Sequence, residues 1–175
     1  AKANETRNSK IFEAFAYHLI AIARRKRTNN DFEIKGKIYA FDSTTIDLCL
    51  SVFWWATFRK TKAGIKLHTH FEITTQIPAF VHITPATMND MKAMDYHVYE
   101  QNAFYIIDRG YVDYTRLYKI TVHSAFFVIR AKSNLNFNRM YSSKIDKSTG
   151  VLCDQIGKLN GFYVSKQYPV KLRRV

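Results

Sequence analysis

Ile38-Tyr39-Ala40-Phe41-Asp42-Ser43-Thr44 is a short apolar run that closes on an acid, and it reads as a buried strand ending at Asp42. The same pattern returns at Ala103-Phe104-Tyr105-Ile106-Ile107, a continuous apolar strand ended by Asp108-Arg109-Gly110. An unpaired carboxylate is costly to bury, so an acid at the end of an apolar strand usually has a purpose. If the two strands are parallel neighbours, their ends lie roughly 5 Å apart. Carboxylates that close repel each other unless a divalent cation or a proton sits between them. One reading is therefore a hard oxygen-ligand site for Mg²⁺ or Mn²⁺. The other is that both acids are strand-end caps or turn residues.

The surrounding elements fill in an α/β domain. From Ser9 the pattern is helical, with Ile11, Phe15, Leu19 and Ile22 at helical spacing and Asn8 or Ser9 as the cap. This helix runs into Arg24-Arg25-Lys26-Arg27, a basic last turn that suits the helix dipole and could equally contact phosphate. Residues 65–73 alternate, with Ile65, Leu67, Thr69, Phe71 and Ile73 on one face and Lys66, His68, His70 and Glu72 on the other. That alternation predicts a half-exposed strand with a polar outer face. Thr75-Gln76-Ile77-Pro78 is a turn, and Ala79 to Ile83 completes a hairpin. Asn89 to Val98 reads as a helix, Asp113 caps another, and Ala125 to Ile129 is a further strand. A short meander followed by a βαβ order predicts a mixed sheet flanked by helices.

Beyond Lys132 the character changes. Asp146-Lys147-Ser148-Thr149-Gly150 and Leu159-Asn160-Gly161 are turn signals between the strand-like runs Val151 to Ile156 and Phe162 to Ser165, and Val170 to Val175 begins another. The expected organisation is an N-terminal helix and linker over residues 1–33, a core over 34–132 and a β-rich subdomain over 133–175.

Charge points to the partner. The 175 residues carry 27 Lys and Arg against 14 acids, a formal net charge of +13 that favours a polyanion such as nucleic acid. In a basic protein that grips DNA, paired strand-end acids suggest two-metal phosphoryl transfer. Hydrophobic residues make up 47%, which excludes a disordered basic tail. The longest apolar stretch, Ile46 to Phe58, is interrupted by Asp47 and is too short to span a bilayer. Cys49 and Cys153 form no CxxC or Cys/His pattern, which fits a reduced cytoplasmic setting without zinc or a disulfide framework. The polar start Ala1-Lys2-Ala3-Asn4 is no signal peptide and reads as the beginning of an excised piece.

Four segments together resemble the DDE transposases of bacterial insertion sequences. They are Ile38 to Thr44, Gly64-Ile65-Lys66-Leu67-His68, Pro85-Ala86-Thr87-Met88-Asn89-Asp90 and Tyr105-Ile106-Ile107-Asp108-Arg109-Gly110-Tyr111. The closer likeness is to the group with a β-rich insertion in an RNase H-like catalytic domain, and it covers most of the chain. It implies that Asp42 and Asp108 are the first and second metal-binding carboxylates, acting on DNA with Mg²⁺ or Mn²⁺. It also implies cleavage and strand transfer at transposon ends by water and 3′-hydroxyls, by a homodimer on DNA.

The resemblance also locates what is missing. The family's third acid is a Glu in a Tyr-x2-Arg-x3-Glu-x6-Lys motif after the insertion, and no such motif occurs here. The last glutamate is Glu100, and the only acids after Asp108 are Asp113, Asp146 and Asp154, so the fragment is expected to be inactive. Nucleic-acid contacts are expected from Arg59, Lys60, Lys62, Lys66, His68 and Arg109, with an ordinary exposed strand face as the alternative for those around residues 62–68. Asn89 and Asp90 match a family pair and read as helix caps, with a catalytic role the alternative. Trp54 and Trp55 read as core aromatics, with base stacking the alternative. Two other readings stay open: an RNase H-like nuclease or resolvase, and a non-enzymatic basic DNA-binding module.

Overall fold

The computed structural model describes residues 8–27, 34, 36–49, 51, 56–59 and 62–175. Helix α1 (Ser9–Lys26) starts where the Asn8 side chain accepts the Lys10 N–H at 3.0 Å, and it ends in the basic turn Arg24, Arg25 and Lys26. Strands β1 (Ile38–Leu48), β2 (Thr57–Arg59), β3 (Lys62–Glu72) and β4 (Ile77–Pro85) follow, then helix α2 (Asp90–Ala93). Strand β5 (Phe104–Ile107), helix α3 (Tyr114–Val122) and strand β6 (Phe126–Ile129) form the predicted βαβ unit. The main sheet has six strands in the order β2-β3-β1-β5-β6, with β4 also on β3. β1 runs antiparallel to β3 and parallel to β5, and β5 runs parallel to β6. This is the mixed α/β sheet of an RNase H-like core.

Alternation along each strand fixes what the core sees. Tyr39 and Phe41 from β1, with Tyr105 and Ile107 from β5, are buried against Leu117 and Ile120 of α3 and against Ala93, Met94 and Tyr99. Full burial of Leu117 or Ile120 stabilises by roughly 1.5–3 kcal/mol each.

One expectation about extent and two about facing are corrected. β1 does not end at Asp42 but runs on to Leu48, still paired with β3. In β3 the polar side is the inner one: His68, His70 and Glu72 are buried, whereas Phe71 is exposed. Each inner polar group has a partner that removes much of the penalty of burial. Glu72 is bridged by Arg24 of α1, His68 Nε2 meets Thr84 Oγ1 at 2.9 Å, and His70 Nδ1 meets His97 Nε2 at 3.2 Å. In α1 the stripe of Ile11, Phe15, Leu19 and Ile22 faces outward, between 38% and 60% exposed, and Tyr17 and Arg24 make the contacts to the sheet.

Strands β7 (Phe137–Ser142), β8 (Gln155–Leu159) and β9 (Leu172–Arg174) form a second, antiparallel sheet. The sequence reading missed β7 and set β8 too early. At the crossing of β7 and β8, a Cβ on Gly157 would stand 2.2 Å from the Asn138 carbonyl oxygen, so only glycine fits. Phe162 to Ser165 is not a strand. Gly161 takes φ +122°, and its carbonyl oxygen then accepts both the N–H and the hydroxyl of Ser165, which opens helix α4 (Val164–Gln167). The following Tyr168 is buried against Tyr118 and Phe127, and its hydroxyl lies 3.0 Å from Thr121 Oγ1. Through Tyr168 and Leu159 the second sheet joins the main core.

Among the described residues, no helix is long and apolar enough to cross a membrane.

Candidate active site

The site grows out of the parallel pairing of β1 with β5. That pairing is short, running from Ile38↔Phe104 to Phe41↔Ile107. The next residue on each strand is an acid, Asp42 on one and Asp108 on the other. Their backbones are therefore one strand spacing apart, about 5 Å. Both acids are exposed, and by alternation both belong to the face opposite Phe41 and Ile107. Carboxyl ends of parallel strands are where open α/β sheets bind ligands.

Each acid is held by backbone. Asp42 Oδ1 accepts the Ser43 N–H at 2.8 Å. Asp108 opens the tight turn Arg109–Tyr111 and accepts the Gly110 N–H at 3.3 Å. The N–H groups of Arg109 and Gly110, aided by the charges of Arg109 and Arg130, hold the Asp108 carboxyl below the ordinary carboxylate range. It is thus kept ionised, as a cation ligand must be. An open cleft of about 700 Å³ adjoins Asp108, lined also by Arg109, Gly110, Lys132, Ser133 and Asn134.

A second set of groups lies against Ser43. The Ser43 hydroxyl donates to Asp90 Oδ1 at 2.9 Å, and Lys66 Nζ stands 3.0 Å from the same oxygen. Lys66 also donates to the Met88 carbonyl oxygen at 2.9 Å. Asn89, not Asp90, caps α2 by accepting the Met91 N–H. The Tyr111 hydroxyl is buried beside Ser43 without a well-formed hydrogen bond. Burial first, then the nearby carboxylates of Asp90, Asp42 and Asp108, push its pKa up to about 12.

The other expected nucleic-acid contacts separate. His68 is fully buried against Thr84, so it cannot reach a phosphate; the outer face expected for it is the inner one. The Lys66 side chain is only 14% exposed and is committed to Asp90 and Met88. Lys62 is exposed and lies 3.4 Å from Asp47. Arg109 borders the cleft beside Asp108. The backbone of Arg59 pairs with Lys62 at the sheet edge. Lys60, Trp54 and Trp55 lie outside the described residues.

Lys132, Ser133 and Asn134 had escaped the sequence reading. The usable signal was topological: they follow β6, whose carboxyl end neighbours that of β5.

The acids suit a hard cation: two exposed carboxylates on neighbouring strands offer only oxygen donors, and Mg²⁺ is commonly held by one or two carboxylates with water and phosphate completing its shell. Among the described residues, no three His, Cys, Asp or Glu side chains are grouped closely enough to enclose a metal alone.

A mixed sheet bearing two acids where the β1–β5 pairing stops, one within β1 and one just past β5, bordered by cations, defines a carboxylate-centred domain of the RNase H-like class. The model of the Transposase DDE domain family matches residues 33–171, and the chain belongs to that family. It is 30% identical over 179 aligned positions to the y4zB protein of Sinorhizobium fredii, named as a transposase, covering all of this chain and 49% of that protein. It is 26% identical over 145 positions to a Geobacillus stearothermophilus protein named as the transposase of insertion sequence element IS5377, covering 79% of this chain and 38% of that one. The chain therefore spans half or less of the length of the relatives it matches. No solved structure matches it.

Proposed function

We propose that the chain is the part of an insertion-sequence transposase that supplies two of its cation-binding carboxylates, Asp42 and Asp108, for cutting and joining DNA. The observation that carries this reading is the register: Phe41 pairs with Ile107, and an acid follows immediately on each strand. In the cutting step, water forms a bond to the scissile phosphorus and the 3′-oxygen leaves as a 3′-hydroxyl. In the joining step, that hydroxyl attacks a phosphorus in the target strand and displaces its 3′-oxygen. A divalent cation, when bound at these acids, would supply positive charge to the phosphate being transferred. Asp42 and Asp108 would hold the ion, and Arg109 and Lys132 at the cleft would offset phosphate charge.

The isolated chain is expected to be inactive. Each acid after Asp108 is engaged elsewhere: Asp113 caps α3 and pairs with Arg116, Asp146 caps the turn Lys147–Thr149, and Asp154 pairs with Arg173. Glu100 is tied to Lys37 and Tyr39. The wider reading is a cytoplasmic protein acting as a homodimer on DNA, with an N-terminal helical segment over 1–33, a catalytic core over 34–132 and a β-rich insertion over 133–175.

The test is calorimetric titration of Mn²⁺ into the chain. Wild type binds weakly, and Asp42→Asn and Asp108→Asn each abolish most of the heat. An Asp42→Asn variant that binds Mn²⁺ as well as wild type overturns the assignment. Salt-sensitive DNA binding without any metal effect would identify a basic binding module instead.

A further inference from the structure

Asp90 is the one acid of this region whose carboxylate is occupied by side chains from two different strands. Its Oδ1 receives the Ser43 hydroxyl from β1 and the Lys66 ammonium from β3. Lys66 is largely buried, and its second bond to the Met88 carbonyl ties it to the chain leading into α2. Three segments that are distant in sequence thus meet at one oxygen atom. Ser43 is the next residue after Asp42, and its backbone N–H holds Asp42 Oδ1. Whatever fixes Ser43 also fixes the carboxylate in front of it. Beside Ser43 lies the buried Tyr111 hydroxyl, in the turn that Asp108 opens. Ser43, Asp90, Lys66 and Tyr111 thus form a polar floor joined through the backbone to both acids, by Ser43 to Asp42 and by the Tyr111 turn to Asp108.

Charge gives this floor its sign. The carboxylates of Asp90, Asp42 and Asp108 all act on the Tyr111 hydroxyl, so three negative charges surround this region. An ammonium 3.0 Å from Asp90 offsets one of the three. Metal sites generally depend on such outer partners to orient their ligands, and removing one typically lowers metal affinity 10–100-fold.

We propose that Asp90 is a positioning residue for the cation site: through Ser43 and Lys66 it fixes β1 at the point where its pairing with β5 stops, so that Asp42 stands ready beside Asp108. This inference rests on the cation-binding reading given above. It assigns Lys66 to the floor of the site rather than to DNA.

The test is the Mn²⁺ affinity of the 175-residue chain, with the melting temperature of each variant measured alongside. Ser43→Ala changes no charge and is expected to weaken Mn²⁺ binding about 10-fold with little change in melting temperature. Ser43→Thr keeps the hydroxyl and restores affinity, which general loosening of the fold would not produce. Lys66→Gln separates positioning from plain electrostatics. Loss of a nearby cation would by itself tighten Mn²⁺ binding, whereas loss of a positioning contact weakens it. Weaker binding in Ser43→Ala and Lys66→Gln, rescued by Ser43→Thr, supports the proposal. Unchanged binding in Ser43→Ala, or tighter binding in Lys66→Gln, overturns it while leaving the acids' role intact. If Asp42→Asn binds Mn²⁺ like wild type, the cation-binding reading falls and this inference falls with it.

Discussion

The hydroxyl of Tyr17 donates a hydrogen bond to the Val81 carbonyl oxygen at 3.0 Å and accepts one from the Val81 N–H at 3.2 Å. β4 pairs only with β3, so Val81 belongs to the open edge of the sheet, and one phenol occupies both of its free backbone groups. Unpaired strand edges invite pairing with other chains, and covering them is a standard protection. Tyr17→Phe is expected to destabilise the fold by about 1–2 kcal/mol. It should also speed amide exchange at Val81 well beyond exchange at the centre of β1. Equal exchange at Val81 in wild type and variant would show that α1 does not seal this edge.

Acid should weaken the fold through two histidines. Burial, with His97 beside it, drives the pKa of His70 down to about 2; burial drives His97 down to about 4 against the opposing pull of Glu100. Both are neutral in the folded chain but titrate near 6.5 when unfolded. The unfolded state therefore binds more protons below pH 6.5, and stability falls as the pH drops. The loss approaches about 1.4 kcal/mol per pH unit for each imidazole until its folded-state pKa is reached. Urea midpoints at pH 7.5, 6.0 and 5.0 should decline along this slope, and His97→Gln should flatten it. A midpoint constant between pH 6.5 and 5.0 contradicts the account.

Gly157→Ala is expected to disrupt the second sheet. The added carbon would meet the Asn138 oxygen at 2.2 Å and the Phe137 ring at 2.8 Å, so β7 and β8 must separate. Overpacking of this kind costs about 1–3 kcal/mol or more. The loss should appear in the amide signals of residues 137–142 and 155–159, with those of β1 and β5 little changed.

The cleft beside Asp108 makes a prediction about salt. Lys132→Ala is expected to weaken DNA binding to a similar extent for every sequence, and to reduce the slope of log K against log salt by about one. A change confined to one DNA sequence would mean that Lys132 reads bases instead.

Much of this arrangement was legible in the sequence, for reasons that differ by residue. The adjacent placement of Asp42 and Asp108 was readable because each follows an apolar run; the continuation of β1 to Leu48 was not, because Thr44 to Asp47 are exposed and carry no buried signature. Asp113 was readable as a cap because its side chain needs only a neighbouring N–H, that of Arg116. Alternation gives a strand its period but not which face is inside, so His70 and Glu72 came out on the wrong side. Their burial depends on His97 and Arg24, partners far along the chain. Phe162 to Ser165 has strand-like side chains, and a single left-handed glycine overrides them. β7 presents no buried face of its own beyond a partly covered Phe137, so it left no apolar signature to find. The Asp90 contacts were invisible for the same reason as those of His70: Lys66 and Ser43 reach it only after β1 and β3 have paired.

The shortness of the β1–β5 ladder sets how the chain can change over generations. Both acids are the first residues beyond a pairing of four rungs, so the spacing between them is counted in backbone hydrogen bonds. Gaining or losing one residue within Ile38–Phe41 or Phe104–Ile107 would carry one acid about 3.3 Å along its strand and turn it to the other face of the sheet. The loop from Ser143 to Asp154 lies outside that count and can lengthen or shorten without touching it. Length variants should therefore accumulate in residues 143–154 and be purged from the paired stretches 38–41 and 104–107, even where substitutions within those stretches keep them apolar.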